Sequence, residues 1–185
     1  MRALYLLIAY GFYPAWLLAG AGDYWCHRRS AIERTSGVVE SVYHVAQFAT
    51  IAVIVFGIAF FAGSMTTFVI VGVAGLAHTA LSYFDVRYTE RRRYISPLEQ
   101  HVHAVMEVIP LVAIALWIVL EWPASQGSWR VALRDPMLSP GQTVALLVSV
   151  FGVAGVPVIE ELLRTFRAQS REAPLRSQRE LTVNR

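Results

Sequence analysis

The chain has 185 residues, of which 56% are hydrophobic, and a mean hydropathy of +0.48, so an ordinary soluble domain is excluded and an integral membrane protein is predicted. All 16 basic residues are arginine, which excludes lysine Schiff-base chemistry and with it a retinal protein, and the single cysteine excludes an internal disulfide framework. The pI of about 9.3 comes from arginines beside apolar runs, which favours contact with anionic lipid and predicts no nucleic-acid partner.

Five apolar runs approach the roughly 20 residues that a helix needs to cross a bilayer. They extend over about Ala3 to Trp25, Gly37 to Ala62, Thr66 to Tyr88, Leu98 to Trp122 and Thr143 to Phe166. No signal-peptidase site follows the first run, so we expect it to remain as a span. The predicted fold is therefore an all-α integral membrane bundle of about five transmembrane helices.

The predicted bundle occupies residues 1–167, and the remaining residues 168–185 form a tail rich in arginine, serine and glutamine. Such a tail has little apolar surface to bury, so we predict that it is disordered and cytoplasmic. Pro157 interrupts the last apolar run and predicts a kink there.

The arginines predict the orientation of the bundle. Five spans place the two termini on opposite sides, and 13 of the 16 arginines then share the face that carries the C-terminus. Only Arg2, Arg130 and Arg134 fall on the other face. Because cytoplasmic loops are rich in arginine and lysine, we predict an inner (cytoplasmic) membrane protein with its N-terminus out and its C-terminus in.

Metal-capable side chains follow the same asymmetry. All five histidines and eleven of the thirteen acids belong to the arginine-rich face. Several occur at helical spacings of four or seven residues that put them on one side of a helix, as in Glu99, His103 and Glu107. The predicted ligands, in chain order, are Asp23, His27, Glu40, His44, His78, Asp85, Glu99, His103, Glu107 and Glu160.

Ionisable groups in an apolar setting are costly unless they are paired or bound to metal. Carboxylate and imidazole groups on facing helices are the ligands with which helical bundles hold two iron or manganese ions. The soluble bundles use Glu-x-x-His, whereas the spacing here is longer by one residue. We therefore predict two transition-metal ions at the cytoplasmic face, with iron favoured and zinc or manganese as alternatives.

Other polar residues near this face have simpler interpretations. His101 points away from the main stripe and is expected at the interface. Glu161 is expected to be solvated, and Cys26 to be a small interfacial residue. The cluster of Arg91, Arg92 and Arg93 mainly indicates the orientation of the bundle. A more specific functional interpretation is that it binds a substrate phosphate or lipid headgroup.

The first functional hypothesis is a membrane metalloenzyme that oxidises, hydroxylates or desaturates a lipidic substrate. Its partners would be the bilayer, a lipid with an acyl or prenyl chain, and an electron donor. The placement of the candidate metal ligands is similar to that in integral-membrane di-iron hydroxylases and desaturases, which also keep their ligands at the cytoplasmic face. Their His-x-x-His-His signatures are absent from this sequence.

Three alternatives remain open. A membrane zinc hydrolase acting on a lipid would use three histidines and a water, and the set His78, Ser82 and Asp85 is loosely similar to those enzymes. A divalent-cation or proton pathway needs access from both sides, yet the outer halves of the spans contain almost no ionisable group. A bis-histidine haem protein is the last alternative, and the many acids beside the histidines favour a bare metal instead.

Overall fold

The structure is a computed structural model that describes residues 2–183, with side chains from Arg2 to Arg171. Its α-helices are α1 (Arg2–Leu7), α2 (Tyr13–Ser30), α3 (Val38–Phe60), α4 (Met65–Thr89), α5 (Pro97–Ser125), α6 (Pro140–Leu147) and α7 (Val156–Val183). Apart from one isolated bridge between Phe61 and Leu133, the regular structure of these residues is helical.

These helices form five units that are long and apolar enough to cross a membrane by length and composition. The first span joins α1 and α2 (Arg2–Ser30), the second to fourth spans are α3, α4 and α5, and the fifth joins α6 and α7 (Pro140–Arg171). The prediction of an all-α bundle with five such helices is confirmed. Which side each terminus faces stays a prediction.

The predicted division of the chain at residue 167 also stays a prediction. Residues 168–171 are the last ones of α7 whose side chains are described. The rest of the predicted disordered tail, up to residue 185, lies outside the described side chains.

Two spans contain a π-helical segment, and each segment ends two residues before a proline. Ile8–Phe12 lies between α1 and α2 and precedes Pro14, whereas Val148–Gly155 lies between α6 and α7 and precedes Pro157. Proline has no N–H group to donate to the carbonyl four residues earlier, so the α-helical ladder is interrupted there. In place of a simple kink at Pro157, the helix therefore has a π-helical segment, which is wider than an α-helix.

The core is formed by large apolar side chains where the second, third and fourth spans meet. Ile51 and Ile54 of α3 lie in one buried cluster with Phe68 of α4 and Trp117 of α5. Close approach is needed at Gly75, where an added Cβ would lie 2.7 Å from Ile114 Cδ1. Small residues at such positions let membrane helices pack by van der Waals contact.

The connections keep the polar ends of the spans together. At one end α2 and α3 are joined by a short 3₁₀ turn, Ile32–Arg34, and α4 and α5 by the loop around Arg93. At the other end Glu121 binds Arg134, with Nη2 donating to Oε1 at 2.9 Å. The site described next lies at the first of these ends.

Candidate metal centre

Buried acids and histidines from all five spans meet at the end of the bundle that carries the arginine-rich loops. Each span contributes from the part nearest these loops, so residues far apart in sequence become neighbours. The buried charged or histidine residues of this centre are Asp23, His27, Glu40, His78, Asp85, Arg93, Glu99 and Glu161, and His44 and His103 are partly buried beside them.

Two imidazole rings form the middle of the centre. His27 of α2 and His44 of α3 are stacked, with ring centroids 4.6 Å apart and planes within 4° of parallel. Both rings turn Nδ1 toward Glu161 of α7, whose Oε2 is 2.9 Å from His27 and whose Oε1 is 2.5 Å from His44. One carboxylate therefore fixes both rings, and the Nε2 atom of each ring is free to face other groups.

Glu161 was predicted to be solvated, and that prediction is wrong. Its side chain is 3% exposed and it holds two histidines at once. The neighbouring Glu160, which was predicted as a ligand, instead lies at the edge of the bundle with its side chain 40% exposed. There it accepts hydrogen bonds from Tyr24 and Arg28.

The Nε2 atom of His27 faces three carboxylate oxygens. Asp23 Oδ1 lies 3.3 Å away, Glu99 Oε1 3.5 Å and Glu40 Oε1 3.8 Å. This nitrogen is buried and makes no hydrogen bond within the described part of the chain. Two ligands of a metal with bonds of about 2.1 Å lie about 3.0–3.4 Å apart for right-angled to tetrahedral geometry. The first two separations fit or slightly exceed that spacing.

His103 of α5 completes a group of four metal-capable residues. Its Nε2 lies 2.8 Å from Asp23 Oδ1, and its ring meets that of His27 edge-on at 6.3 Å between centroids. Asp23, His27, Glu99 and His103 each offer a ligand atom within 4.8 Å of the others. These four residues, called site A below, were all predicted as ligands.

A second group includes both stacked rings. His27, Glu40 and His44 also offer atoms within 4.8 Å of one another. Because Nδ1 of His27 is held by Glu161, its remaining nitrogen can serve one ion only. His44 has a separate neighbour for its own Nε2, since Asp85 Oδ2 lies 3.1 Å away. His44 and Asp85 are called site B below.

Asp85 is itself held by polar side chains. Gln47 donates from Nε2 to Asp85 Oδ2 at 3.1 Å, and the Thr89 hydroxyl lies 3.5 Å from Oδ1. Thr89 stands one helical turn after Asp85 on α4. These contacts hold the carboxylate against His44, as expected for groups that orient a metal ligand.

Arg93 is a member of the centre, although the sequence indicated it mainly as a signal of orientation and otherwise as a group that binds a phosphate or headgroup. Its guanidinium is buried between two acids: Nε donates to Glu40 Oε2 at 3.3 Å, and Nη1 donates to Glu99 Oε2 at 3.0 Å. Burial lowers the pKa of Arg93, but hydrogen bonds to Glu99 and Glu40 outweigh it and raise that pKa above its ordinary value. Arg93 therefore stays charged and holds both carboxylates in place.

Glu40 is the acid most fully engaged by protein groups. Besides Arg93, it accepts a hydrogen bond from the Ser36 hydroxyl. The Glu99 carboxylate also contacts Arg93 through both oxygens, although Oε1 faces His27 as well. Glu99 is therefore better placed than Glu40 to bind an ion. Glu40 acts mainly as the ion-pair partner of Arg93.

The remaining predicted ligands lie around the edge of the centre. His78 is buried on α4 and its Nδ1 lies 3.3 Å from the Thr50 hydroxyl, so it belongs to neither group. Glu107 is half-buried and lines the same cavity as His78. His101 is exposed, with Nδ1 2.7 Å from the Pro97 carbonyl oxygen, as expected of an interfacial residue.

A small cavity of about 80 Å³ opens beside these groups and is called the lower cavity. Its polar wall contains members of sites A and B together with Glu161, His78 and Glu107. Its apolar wall contains Trp16, Ile51 and Met106. A reactant in this space would touch metal-capable groups on one side and hydrocarbon on the other.

In comparisons with known proteins, no protein-family model, no curated protein and no solved structure matches the chain. The described residues form five apolar helices and bring together buried histidines and acids that could hold a metal ion.

Proposed function

We propose that the protein is a membrane-embedded metalloenzyme that binds two transition-metal ions, iron favoured over zinc or manganese, and oxidises, hydroxylates or desaturates a lipidic substrate at the cytoplasmic face. The observation that carries this proposal is the buried Nε2 of His27. It has no hydrogen-bond partner among the described residues and faces oxygens of Asp23 and Glu99 at 3.3 and 3.5 Å.

Site A supplies a suitable set of ligands for the first ion. Two imidazoles and a carboxylate are the ligands of non-haem iron centres with open positions, and His27, His103 and Asp23 are of these types. Glu99 is a fourth ligand or a neighbour that neutralises charge. The hydrogen bond from His27 Nδ1 to Glu161 matches the carboxylate contact that orients most metal-bound histidines.

Site B supplies the second ion with His44 and Asp85. His44 repeats the arrangement of His27, because Glu161 holds its Nδ1 and leaves Nε2 beside a carboxylate oxygen. Glu107 and His78 line the cavity next to this pair and are the residues best placed to complete the ligand set. The two ions would therefore share one orienting carboxylate behind two stacked rings.

Charge supports two ions over one. Five buried carboxylates (Asp23, Glu40, Asp85, Glu99 and Glu161) meet a single buried guanidinium in the described part of the centre, which leaves an excess of four negative charges when all are ionised. Such an excess is very costly in a low-dielectric interior. Two divalent ions would balance it with every histidine neutral, whereas without metal all four histidines of the centre (His27, His44, His78 and His103) would have to be protonated.

The bound ions would supply redox chemistry with oxygen and an external electron donor, and the protein residues would position the reactants. Arg93 holds Glu40 and Glu99 in place, and Glu161 keeps two imidazoles in the tautomer that presents Nε2. Trp16, Ile51 and Met106 keep bulk water away from one wall of the lower cavity. An apolar substrate arriving from the bilayer meets that wall first.

A mononuclear zinc hydrolase is the second candidate, because site A stands as a complete group without site B. Two histidines and one carboxylate with an open position are also a catalytic zinc set. The two proposals differ in the number of ions and in the need for an electron donor.

Titration of chelator-treated protein with Fe(II), Mn(II) and Zn(II) separates these proposals. We expect two equivalents of Fe(II) to bind per chain, with the first lost in His27→Gln and the second lost in His44→Gln. His101→Gln is the matched control, since His101 is exposed and outside both sites. Tight binding of one equivalent of Zn(II) with no iron binding would favour the hydrolase, and binding that is unchanged in His27→Gln would contradict both.

A further inference from the structure

A second and larger cavity lies above the lower cavity, toward the end of the bundle away from the arginine-rich loops. Its volume is about 550 Å³, within the range of sites that enclose small-molecule ligands. Most of its wall is apolar, and includes Ile54 and Val55 of α3, Ile109 of α5 and Ala145 of α6. We call it the upper cavity.

The two cavities are neighbours that share part of their walls. Trp16 of α2 and Ile51 of α3 line both of them. Both side chains are buried in the same apolar cluster. A molecule that fills the upper cavity therefore ends against the two side chains that also border the candidate metal centre.

The upper cavity borders the lipid-facing surface between the first and fifth spans. Tyr10 of the first span and Gln142 and Ala145 of the fifth line the cavity and are exposed. Both π-helical segments contribute to the wall, through residues such as Phe12 and Ser149. The wider helical turns thus occur in the two spans that flank this side of the cavity.

Charge and size restrict what can occupy the two cavities. Arg134 is the one charged side chain among the described residues that line the upper cavity, and its charge is already matched by Glu121 at 2.9 Å. An anionic headgroup therefore finds no free cation there. The lower cavity, at about 80 Å³, has room for a group the size of a few water molecules and not for a phospholipid headgroup.

We infer that the two cavities together bind a single-chain lipid with a small uncharged head, such as a long-chain alcohol or aldehyde. The tail fills the upper cavity, and the head passes Trp16 and Ile51 into the lower cavity. The role of the head rests on the proposed function, because it is there that the head meets sites A and B. The tail site depends only on the upper cavity.

Photolabelling of the full-length protein in nanodiscs tests both parts. One hexadecanol probe carries a diazirine near its methyl end and a second carries it near the hydroxyl. We expect the first to label Ile54, Val55 or Ala145 and the second to label Trp16 or Ile51. Unlabelled hexadecanol should compete at least tenfold better than hexadecanoate, because the carboxylate of the acid would enter the lower cavity, beside a centre that already has an excess of buried carboxylates among its described residues.

Two substitutions that fill the upper cavity provide the control on location. Ala59 is half-buried and Ala145 is exposed, and both line the cavity, so Ala59→Phe or Ala145→Phe should reduce specific labelling at least fivefold. Ala80→Phe, at an exposed position of α4, should leave labelling unchanged. Equal labelling in all three variants, labels confined to the outer surface, or hexadecanoate competing as well as hexadecanol would overturn the inference.

Labelling is repeated after chelation, with metal content measured on the same samples. Specific labelling of a protein that binds no metal under any condition would contradict the proposed function and support the lipid site. Bound metal without specific labelling of the upper cavity would contradict the lipid site and leave the proposed function unaffected.

Discussion

Replacing Arg93 by glutamine should be among the most destabilising substitutions in this protein. The Arg93 side chain is 3% exposed, and its partners Glu40 and Glu99 are 1% and 2% exposed. Arg93→Gln would leave two buried carboxylates without the guanidinium that neutralises them. Breaking a buried ion pair by removing one partner costs about 3–5 kcal/mol, and the loss here falls on two acids at once, so we expect the upper part of that range.

The free energy of unfolding in mixed detergent micelles, obtained by titration with dodecyl sulfate, measures this effect. Arg91→Gln is the matched control, because Arg91 lies in the same loop and is exposed, and it should change the free energy by less than about 0.5 kcal/mol. The double variant Arg93→Gln/Glu99→Gln should recover about 1–3 kcal/mol of the loss, because it removes one of the two stranded charges.

Arg93 itself should stay charged, and keep its contribution to stability, between pH 6 and pH 9. Burial lowers the pKa of Arg93, but its two carboxylate partners outweigh burial and raise the pKa above the ordinary value. A raised pKa gives stability that is complete below the ordinary value and is lost only as pH rises through the raised one. Both values lie far above pH 9. If Arg93→Gln costs no more than Arg91→Gln, or if the double variant is less stable than the single, the reasoning about Arg93 is refuted.

Three further outcomes follow from the site and the sequence. Glu161→Gln should weaken metal binding about 10–100-fold in a chelator competition, since it removes the carboxylate that orients two histidines, whereas Glu160→Gln should have no effect. His103→Ala should lose metal and activity together, and His101→Ala should retain both; equal losses would remove His103 from the centre. A reporter fused to the C-terminus should behave as cytoplasmic and one in the loop 124–140 as external, and the opposite pattern would overturn the proposed orientation.

The five helices could be predicted because hydropathy is a local property that sums along the chain. A run of apolar residues predicts a span wherever its neighbours lie, and the predicted runs agree with α3, α4 and α5 to within a few residues. Residues at spacings of four, such as Asp23 and His27, likewise share a helix face whatever the helix packs against. The sequence therefore predicted all four members of site A.

The choice between Glu160 and Glu161 depended on a feature that periodicity does not contain. These residues follow the π-helical segment Val148–Gly155, and each π turn changes the direction in which later side chains point. The pattern of the apolar run before it therefore does not decide which of two adjacent acids turns inward. The proline at 157 was the available signal that the regular count would fail there.

Arg93 was missed for a different reason. It lies in a loop, where the path of the backbone depends on tertiary contacts and not on repeating patterns. Three neighbouring arginines look alike in sequence, and only the fold distinguishes the buried Arg93 from the exposed Arg91 and Arg92. The excess of acids on this face indicated that a cation was needed but did not identify which arginine would supply it.

Metal content of the purified protein tests the central claim most directly. The protein would be produced in metal-replete medium, purified in detergent without chelator, and analysed by inductively coupled plasma mass spectrometry beside His103→Ala and His101→Ala. The proposal predicts close to two transition-metal ions per chain, mainly iron, with a clear loss in His103→Ala alone. Protein that is folded but contains no transition metal, together with a His103→Ala variant of unchanged stability, would contradict it and leave a purely structural network of acids and histidines.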